Sequence, residues 1–231
     1  MIYIFFILIF IFILLIALWS KKYMNPYRLY MVFGRKGSGK STYMVKLAVR
    51  DHKQGRKIFS NCDIPYATKI DISMLGQFVP PPESVLLIDE VGMIWDNRNF
   101  KNFRNDVRDY FKLQRHYRNI VYLFSQTFDI DLKLRNLTDA MYLVTSPIPI
   151  LSIVKRIKRT IVLVQPVADA EGRIADNLEF VPFWMNFFGA KALQFTFIPH
   201  WYKYFDSHET PELPFFVYDD TDRNQEEEPA M

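Results

Sequence analysis

The sequence predicts an α/β protein of the P-loop NTPase class, with a parallel-dominated sheet flanked by helices and one N-terminal transmembrane helix ahead of it. Three stretches carry that expectation. "GRKGSGKST", Gly34 to Thr42, fits G-x-x-x-x-G-K-[ST], a phosphate-loop pattern that requires a strand before it and a helix after it. "SVLLIDE" is an apolar run ending in two carboxylates, as expected of a strand buried on both faces with ligand-facing groups at its C-terminal end. The first 19 residues, "MIYIFFILIFIFILLIALW", contain no charge, no Pro and no Gly.

Taken in order, the apolar stretch would form a helix of ~28 Å, close to the ~30 Å of a bilayer core. Residues 1–20 are therefore expected to be a transmembrane anchor. A cleaved signal peptide would need a basic leader and a small-residue cleavage site, and neither is evident. Lys21, Lys22, Arg28, Arg35 and Lys36 follow closely. The positive-inside rule then gives a single-pass protein of the cytoplasmic membrane, N-terminus outside and the bulk in the cytoplasm. Residues 21–28 read as a basic linker.

"RLYMVF" is the strand that enters the loop, and Met44, Leu47 and Ala48 mark one apolar face of the helix that leaves it, with Gly55 as its stop. Glycines let backbone N–H groups curl round phosphate oxygens, and the helix N-terminus adds positive potential. Gly34, Arg35, Lys36, Gly37, Ser38, Gly39, Lys40, Ser41 and Thr42 are accordingly the expected ATP-binding residues. Lys40 would bridge the β- and γ-phosphates, Ser41 would offer its hydroxyl to Mg²⁺, and Thr42 would support the helix start. Pro80 to Pro82 mark a loop crossing back to the strand Val85 to Ile88. Asp89 at its end would hold Mg²⁺ through water, and Glu90 would orient or deprotonate the attacking water.

Further along, Phe103, Val107 and Phe111 mark the buried face of a helix running to about Tyr117. Its other faces carry Arg104, Arg108, Lys112, Arg115 and Arg118, a set that suits solvation, nucleic-acid contact or an arginine finger alike. "VYLFSQT" is a third strand, and Gln126 at its end reads equally as a γ-phosphate sensor and as a turn cap. "MYLV" is another core strand and "RTIVLVQ" a peripheral one. "IVKRIKR" is a basic strip for DNA, anionic lipid or plain solvent at a strand edge. "FVPFWMNFFGA" is too short to cross a membrane, and its aromatics are expected in core packing rather than at an interface. Residues 29–146 form the expected ATPase core, 147–214 its extension of strands and aromatics, and 215–231 an acidic tail expected to be disordered.

Composition excludes several alternatives. Cys62 is the only cysteine, so no internal disulfide forms. His52, His116, His200 and His208 are too scattered for metal-ligand spacing. The net charge of +4 includes the acidic "DDTDRNQEEEPAM", so the remainder is more basic, compatible with a nucleic-acid or anionic-membrane partner.

With these residues in hand, the chain resembles the zonula occludens toxin family, which includes assembly ATPases of filamentous phages. The resemblance lies in "KIFSNCDIP", "IDEVGMIWDNRNF", "LQRHYRNIVYLFSQTFDIDLKLRNLTDAMYLV" and "WYKYFDSHET", and covers about Tyr30 to Glu209. It implies a motor of the additional-strand branch of P-loop ATPases, working as a homo-oligomeric ring (a hexamer is one option) at the host inner membrane. By position, Lys40, Ser41, Asp89 and Glu90 would run hydrolysis, Gln126 would be the sensor, and Arg115 or Arg118 would act on a neighbour's nucleotide. The implied substrate is single-stranded DNA extruded during virion assembly, with coat or other assembly proteins as further partners. Typical members carry their membrane span after the ATPase domain, whereas here it comes first. A DNA-transfer ATPase of a plasmid or integrated element would share every residue cited, and a nucleotide-binding scaffold without turnover is the non-enzymatic alternative. A small-molecule kinase would need an acceptor pocket with a mobile arginine lid, and nothing resembles one.

Overall fold

Among the described residues, short apolar runs separated by amphipathic segments build one nine-stranded sheet with helices against both faces. A computed structural model describes residues 2–95, 104–127, 132–164 and 173–204. Its strands are β1 (Leu29–Phe33), β2 (Ile58–Ser60), β3 (Ala67–Lys69), β4 (Val85–Ile88), β5 (Ile120–Ser125), β6 (Ala140–Ile148), β7 (Leu151–Val164), β8 (Arg173–Phe180) and β9 (Leu193–Phe197). The order is β3-β2-β4-β5-β1-β6-β7-β8, with β9 also paired to β7. Neighbours from β3 to β6 run parallel, and β7, β8 and β9 add antiparallel pairs. Strand β5 lies between β1 and β4, so one strand is inserted between the phosphate-loop strand and the carboxylate strand.

Burial explains the unbroken apolar runs. Every residue of β1, β4 and β5 is buried, because both faces of the sheet are covered. Tyr30 and Val32 share one core with Tyr43, Met44, Leu47 and Ala48 of α2 (Lys40–Lys53). Leu29, Met31 and Phe33 face the other, with Val107, Tyr110 and Phe111 of α4 (Asn105–Leu113) and Val91 of the short α3 (Val91–Ile94). The period of two thus divides β1 between two helical layers. Each such side chain, buried outright, contributes roughly 1.5–3 kcal/mol. As expected, α2 ends at Gly55, whose left-handed φ of 79° lets its N–H reach the His52 carbonyl at 2.9 Å.

Four expectations need correction. The arginine-bearing helix ends at Leu113 rather than near Tyr117. The chain then closes in tight turns, with His116 N–H on Leu113 O at 2.8 Å, and reaches β5 through a left-handed Arg118, φ 57°. Phe103, expected at that helix's start, lies outside the described residues. "RTIVLVQ" is not a separate peripheral strand: Arg159 to Val164 complete the 14-residue β7. Ile153 to Ile157 are not a sheet edge either, since β6 pairs on one side and β8 or β9 on the other, while Lys158 and Arg159 pair with β8. Finally, the aromatics of the 3₁₀ segment Phe183–Phe188 are not core residues: Phe183, Trp184 and Phe187 are 72%, 56% and 58% exposed.

The N-terminal helix α1, Ile2–Lys22, is 21 residues long. Counted over the described side chains, no helix is long and apolar enough to cross a membrane. The described side chains of α1 are Tyr3 to Trp19 and Lys22, and most of those up to Trp19 are exposed Ile, Leu, Phe or Trp. The acidic tail and the end of "WYKYFDSHET" lie outside the described residues.

Candidate active site

The loop after β1 is shaped by close approach. Gly34 N–H donates to Ser125 O at 3.2 Å, carrying the β1–β5 ladder one residue into the loop. A Cβ on Gly34 would lie 2.4 Å from Ser38 Oγ and 2.9 Å from the Val144 carbonyl. Gly39 caps the N-terminus of α2 at φ 86°, and a Cβ there would lie 2.9 Å from Ser152 Cβ. Both glycines are therefore required by backbone conformation or space. Ser152, buried in β7, donates its hydroxyl to Ser38 O at 3.0 Å and ties the loop to the antiparallel part of the sheet.

Lys40 folds back over this loop, its Nζ 2.7 Å from Gly34 O and 3.2 Å from Arg35 O. Burial pulls its pKa down, and the charges of Glu90 and Asp89 act in the opposite sense. Ser38 Oγ is buried without a hydrogen-bond partner, a donor the loop leaves for something else.

The carboxylates are set by β4 and braced by its neighbour. Asn61, just past β2, accepts from Asp89 N–H through Oδ1 at 2.8 Å and donates through Nδ2 to Asp89 O at 3.0 Å. Asp89 Oδ1 takes the Glu90 N–H at 2.9 Å. Burial raises the Asp89 pKa, the Glu90 amide hydrogen bond lowers it, the Glu90 charge raises it and Lys40 lowers it. Glu90 itself sits in the left-handed region, φ 50° and ψ 44°, at the start of α3. For a non-glycine that costs on the order of 1 kcal/mol, and it turns the side chain toward β5. There Gln126 Nε2 donates to Glu90 Oε1 at 2.6 Å. Gln126, read equally as a sensor and as a turn cap, thus touches the expected base directly.

A cleft of about 880 Å³ gathers Lys40, Ser41, Asp89, Glu90 and Gln126, with Lys36, Gly37, Gly39 and Thr42 on its loop side. Opposite stand the β6–β7 turn, Ser146 to Pro149, with Ile198 and Tyr202. Arg35 is exposed and contributes its carbonyl to Lys40. Among the described residues no three His, Cys, Asp or Glu gather as a metal site. One hydroxyl and one carboxylate suit a cation that takes its remaining ligands from phosphate and water, as Mg²⁺ does. The orphaned Ser38 hydroxyl, the folded-back Lys40 and the two space-limited glycines together fit a phosphate chain with that ion.

The two candidate arginines are elsewhere. Arg115 and Arg118 lie on the turn before β5, at the sheet edge opposite the loop. Arg118 is held by Glu83 and, at 3.2 Å, by the Tyr27 hydroxyl, while Arg115 is exposed. Sequence reading noted Asn61 only as the strand end in the resembling stretch "KIFSNCDIP", without its bracing role, and missed Ser152 and Tyr202. A serine inside an apolar strand is the one local signal of a close approach.

No family model matches the chain, and no curated protein matches it. Among solved structures it is similar to the N-terminal domain of zonular occludens toxin from Neisseria meningitidis, with a TM-score of 0.51 and 17% identity over 78% of this chain and 99% of that one. It is also similar to the genome packaging NTPase B204 from Sulfolobus turreted icosahedral virus 2 in complex with ATP-gammaS, with a TM-score of 0.42 and 18% identity over 55% and 78% of the two chains. The flagellar accessory protein FlaH from Methanocaldococcus jannaschii aligns with a TM-score of 0.40 and 11% identity, over 67% and 90%. The resemblance expected from the motifs is therefore met as a shared fold with the zonular occludens toxin domain.

Proposed function

We propose that this chain is an ATP-hydrolysing motor subunit of the zonula occludens toxin type, anchored at a membrane by α1, that moves DNA. Its task in this reading is export of viral single-stranded DNA during virion assembly. The observation that carries the enzymatic part is the 2.6 Å contact of Gln126 with Glu90, at adjacent strand ends in the same cleft as Lys40. A scaffold that only held nucleotide would gain nothing from a braced carboxylate there. Lys40 and the loop amides would bind and neutralise the phosphates of ATP, and Ser41 and Asp89 would hold Mg²⁺. Bound ATP supplies the phosphoanhydride to be cleaved. Glu90 would take a proton from water, with Gln126 fixing its carboxylate.

The anchor reading rests on the apolar side chains of α1, most of them exposed from Tyr3 to Trp19, in a helix of ~31 Å that ends in Lys21 and Lys22. The N-terminus would lie outside and the sheet on the cytoplasmic face. In a homo-oligomeric ring the exposed Arg115 is the candidate to reach a neighbour's nucleotide, whereas Arg118 would first have to leave Glu83 and Tyr27. ATP turnover by the full chain in detergent, with and without single-stranded DNA, tests the motor. Stimulation by DNA supports it; high turnover indifferent to any nucleic acid rejects it.

A further inference from the structure

We propose that a second cavity, at the sheet edge opposite the phosphate loop, binds the phosphate headgroup of an anionic phospholipid. This rests on the reading of α1 as a membrane anchor. The cavity holds about 450 Å³ and is walled by the linker Met24 to Pro26, the start of β1, the end of α2 and the turn Gly189 to Lys191. Arg28, Arg50, Arg56 and Lys191 line it, and among its described lining residues Asp51 is the one carboxylate.

Asp51 is already engaged. It is buried, its Oδ2 is 2.6 Å from Arg50 Nη2, and its Oδ1 is 3.9 Å from Arg56 Nη1. Arg50 Nη2 also donates to the Tyr122 hydroxyl at 3.2 Å, so that guanidinium is fixed in place. Three cations' worth of charge is left unbalanced. Lys191 shows the strain: its surroundings pull its pKa down, burial most, then the charge of Arg50, while Asp51 pulls the other way. Lys191 is exposed and lines the cavity. A bound phosphate would relieve that crowding and satisfy several donors together.

Position selects lipid over nucleic acid. Lys191 lies three residues beyond the 3₁₀ segment Phe183–Phe188, and α1 packs against that segment. Along α1, Leu14 is half-buried and Ala17 is buried, one turn apart. The helix rises ~7.5 Å from Ala17 to Lys22, and ~12 Å from Leu14. The exposed Phe183, Trp184 and Phe187 would therefore reach the depth of an interfacial segment, ~5–10 Å below the headgroups. Trp19 and Tyr23, edge-to-face at 4.9 Å, stand where an aromatic belt belongs. The cavity mouth then faces the headgroup layer itself.

The test uses the full chain in neutral detergent with equimolar phosphatidylglycerol and phosphatidylcholine, counting retained lipid by native mass spectrometry. Phosphatidylglycerol should be preferred by at least about fivefold, and Lys191→Asn or Arg56→Gln should each bring the ratio close to parity. Asn tolerates the left-handed backbone at that position, φ 50°, and ATP binding at the distant loop serves as the fold control. Equal retention of the two lipids by the unaltered chain overturns the proposal. So does displacement of the lipid by millimolar inorganic phosphate, which would assign the cavity to a free anion, or by a 12-nucleotide oligothymidylate, which would assign it to nucleic acid. Alkaline extraction of the chain from phosphatidylcholine vesicles tests α1 separately. Release from the vesicles sinks the anchor and the cavity proposal together, whereas retention without headgroup preference sinks the cavity proposal alone.

Discussion

At Glu90 a left-handed backbone and a single amide contact decide where the expected base points. Gln126→Ala removes the donor, so turnover should fall roughly tenfold or more while ATP affinity holds, since a hydrogen bond to a charged group is worth about 1.5–3 kcal/mol. Equal loss of binding and turnover would show instead that Gln126 merely supports the loop. Asp89 gives a pH signature. Burial raises its pKa, so as pH falls it takes up its proton earlier than a surface aspartate would. Mg²⁺-dependent ATP binding should therefore weaken on the acid side above the ordinary aspartate range. Titrating binding in the unaltered chain and in Asp89→Asn checks this: the acid limb should vanish in the variant. Lys40, Ser41, Asp89 and Glu90 were legible because their chemistry is tied to short spacings within one strand–loop or strand end. Asn61 and Ser152 were not, because they act from strands whose neighbours only the sheet order determines.

Among the elements, β1, β4 and β5 could be read from sequence because burial on both faces leaves uninterrupted apolar runs. The α2 start and stop were legible from Gly39 and Gly55 for the same kind of reason, a backbone conformation that glycine meets best. Strand β7 was misread because its first half carries alternating basic residues that look like an edge. In the fold Lys155 finds the Phe180 ring at 5.6 Å, and Arg156 Nη1 donates to Ala190 O at 2.7 Å, so cations occur in an interior strand. Contact between β7 and the loop also makes a prediction. Gly39→Ala pushes a methyl against Ser152 and strains a φ of 86°. ATP affinity should fall at least about tenfold with little change in far-ultraviolet circular dichroism, since a strained or overpacked site costs on the order of 1–3 kcal/mol. Unchanged affinity, measured by calorimetry, would mean that the loop does not need this backbone geometry.

Over the whole molecule, five phenols are buried between the sheet and the helices packed on it. Burial raises the pKa of Tyr30, Tyr43, Tyr110, Tyr122 and Tyr142 above their ordinary 10.0, Tyr43 to about 12. The unfolded chain therefore loses these protons first as pH rises. The stability is fully present below pH 10 and is lost as pH climbs toward 12, each phenol withdrawing about 1.4 kcal/mol per pH unit. Thermal melts from pH 8 to 11 should be flat to near 10 and then fall, and a flat profile to 11 would contradict the burial. Charge patterning alone did not disclose how α1 meets the sheet domain, because the 3₁₀ aromatics read as core until their exposure was known.

The central claim is that one cleft binds and hydrolyses ATP through Glu90. It is tested most directly by ATP binding and turnover measured side by side in the full chain and in Glu90→Gln. The expected result is unchanged binding with turnover reduced by roughly a hundredfold or more, the scale of a lost general base. Binding without measurable turnover in the unaltered chain, or equal turnover in both proteins, would contradict it.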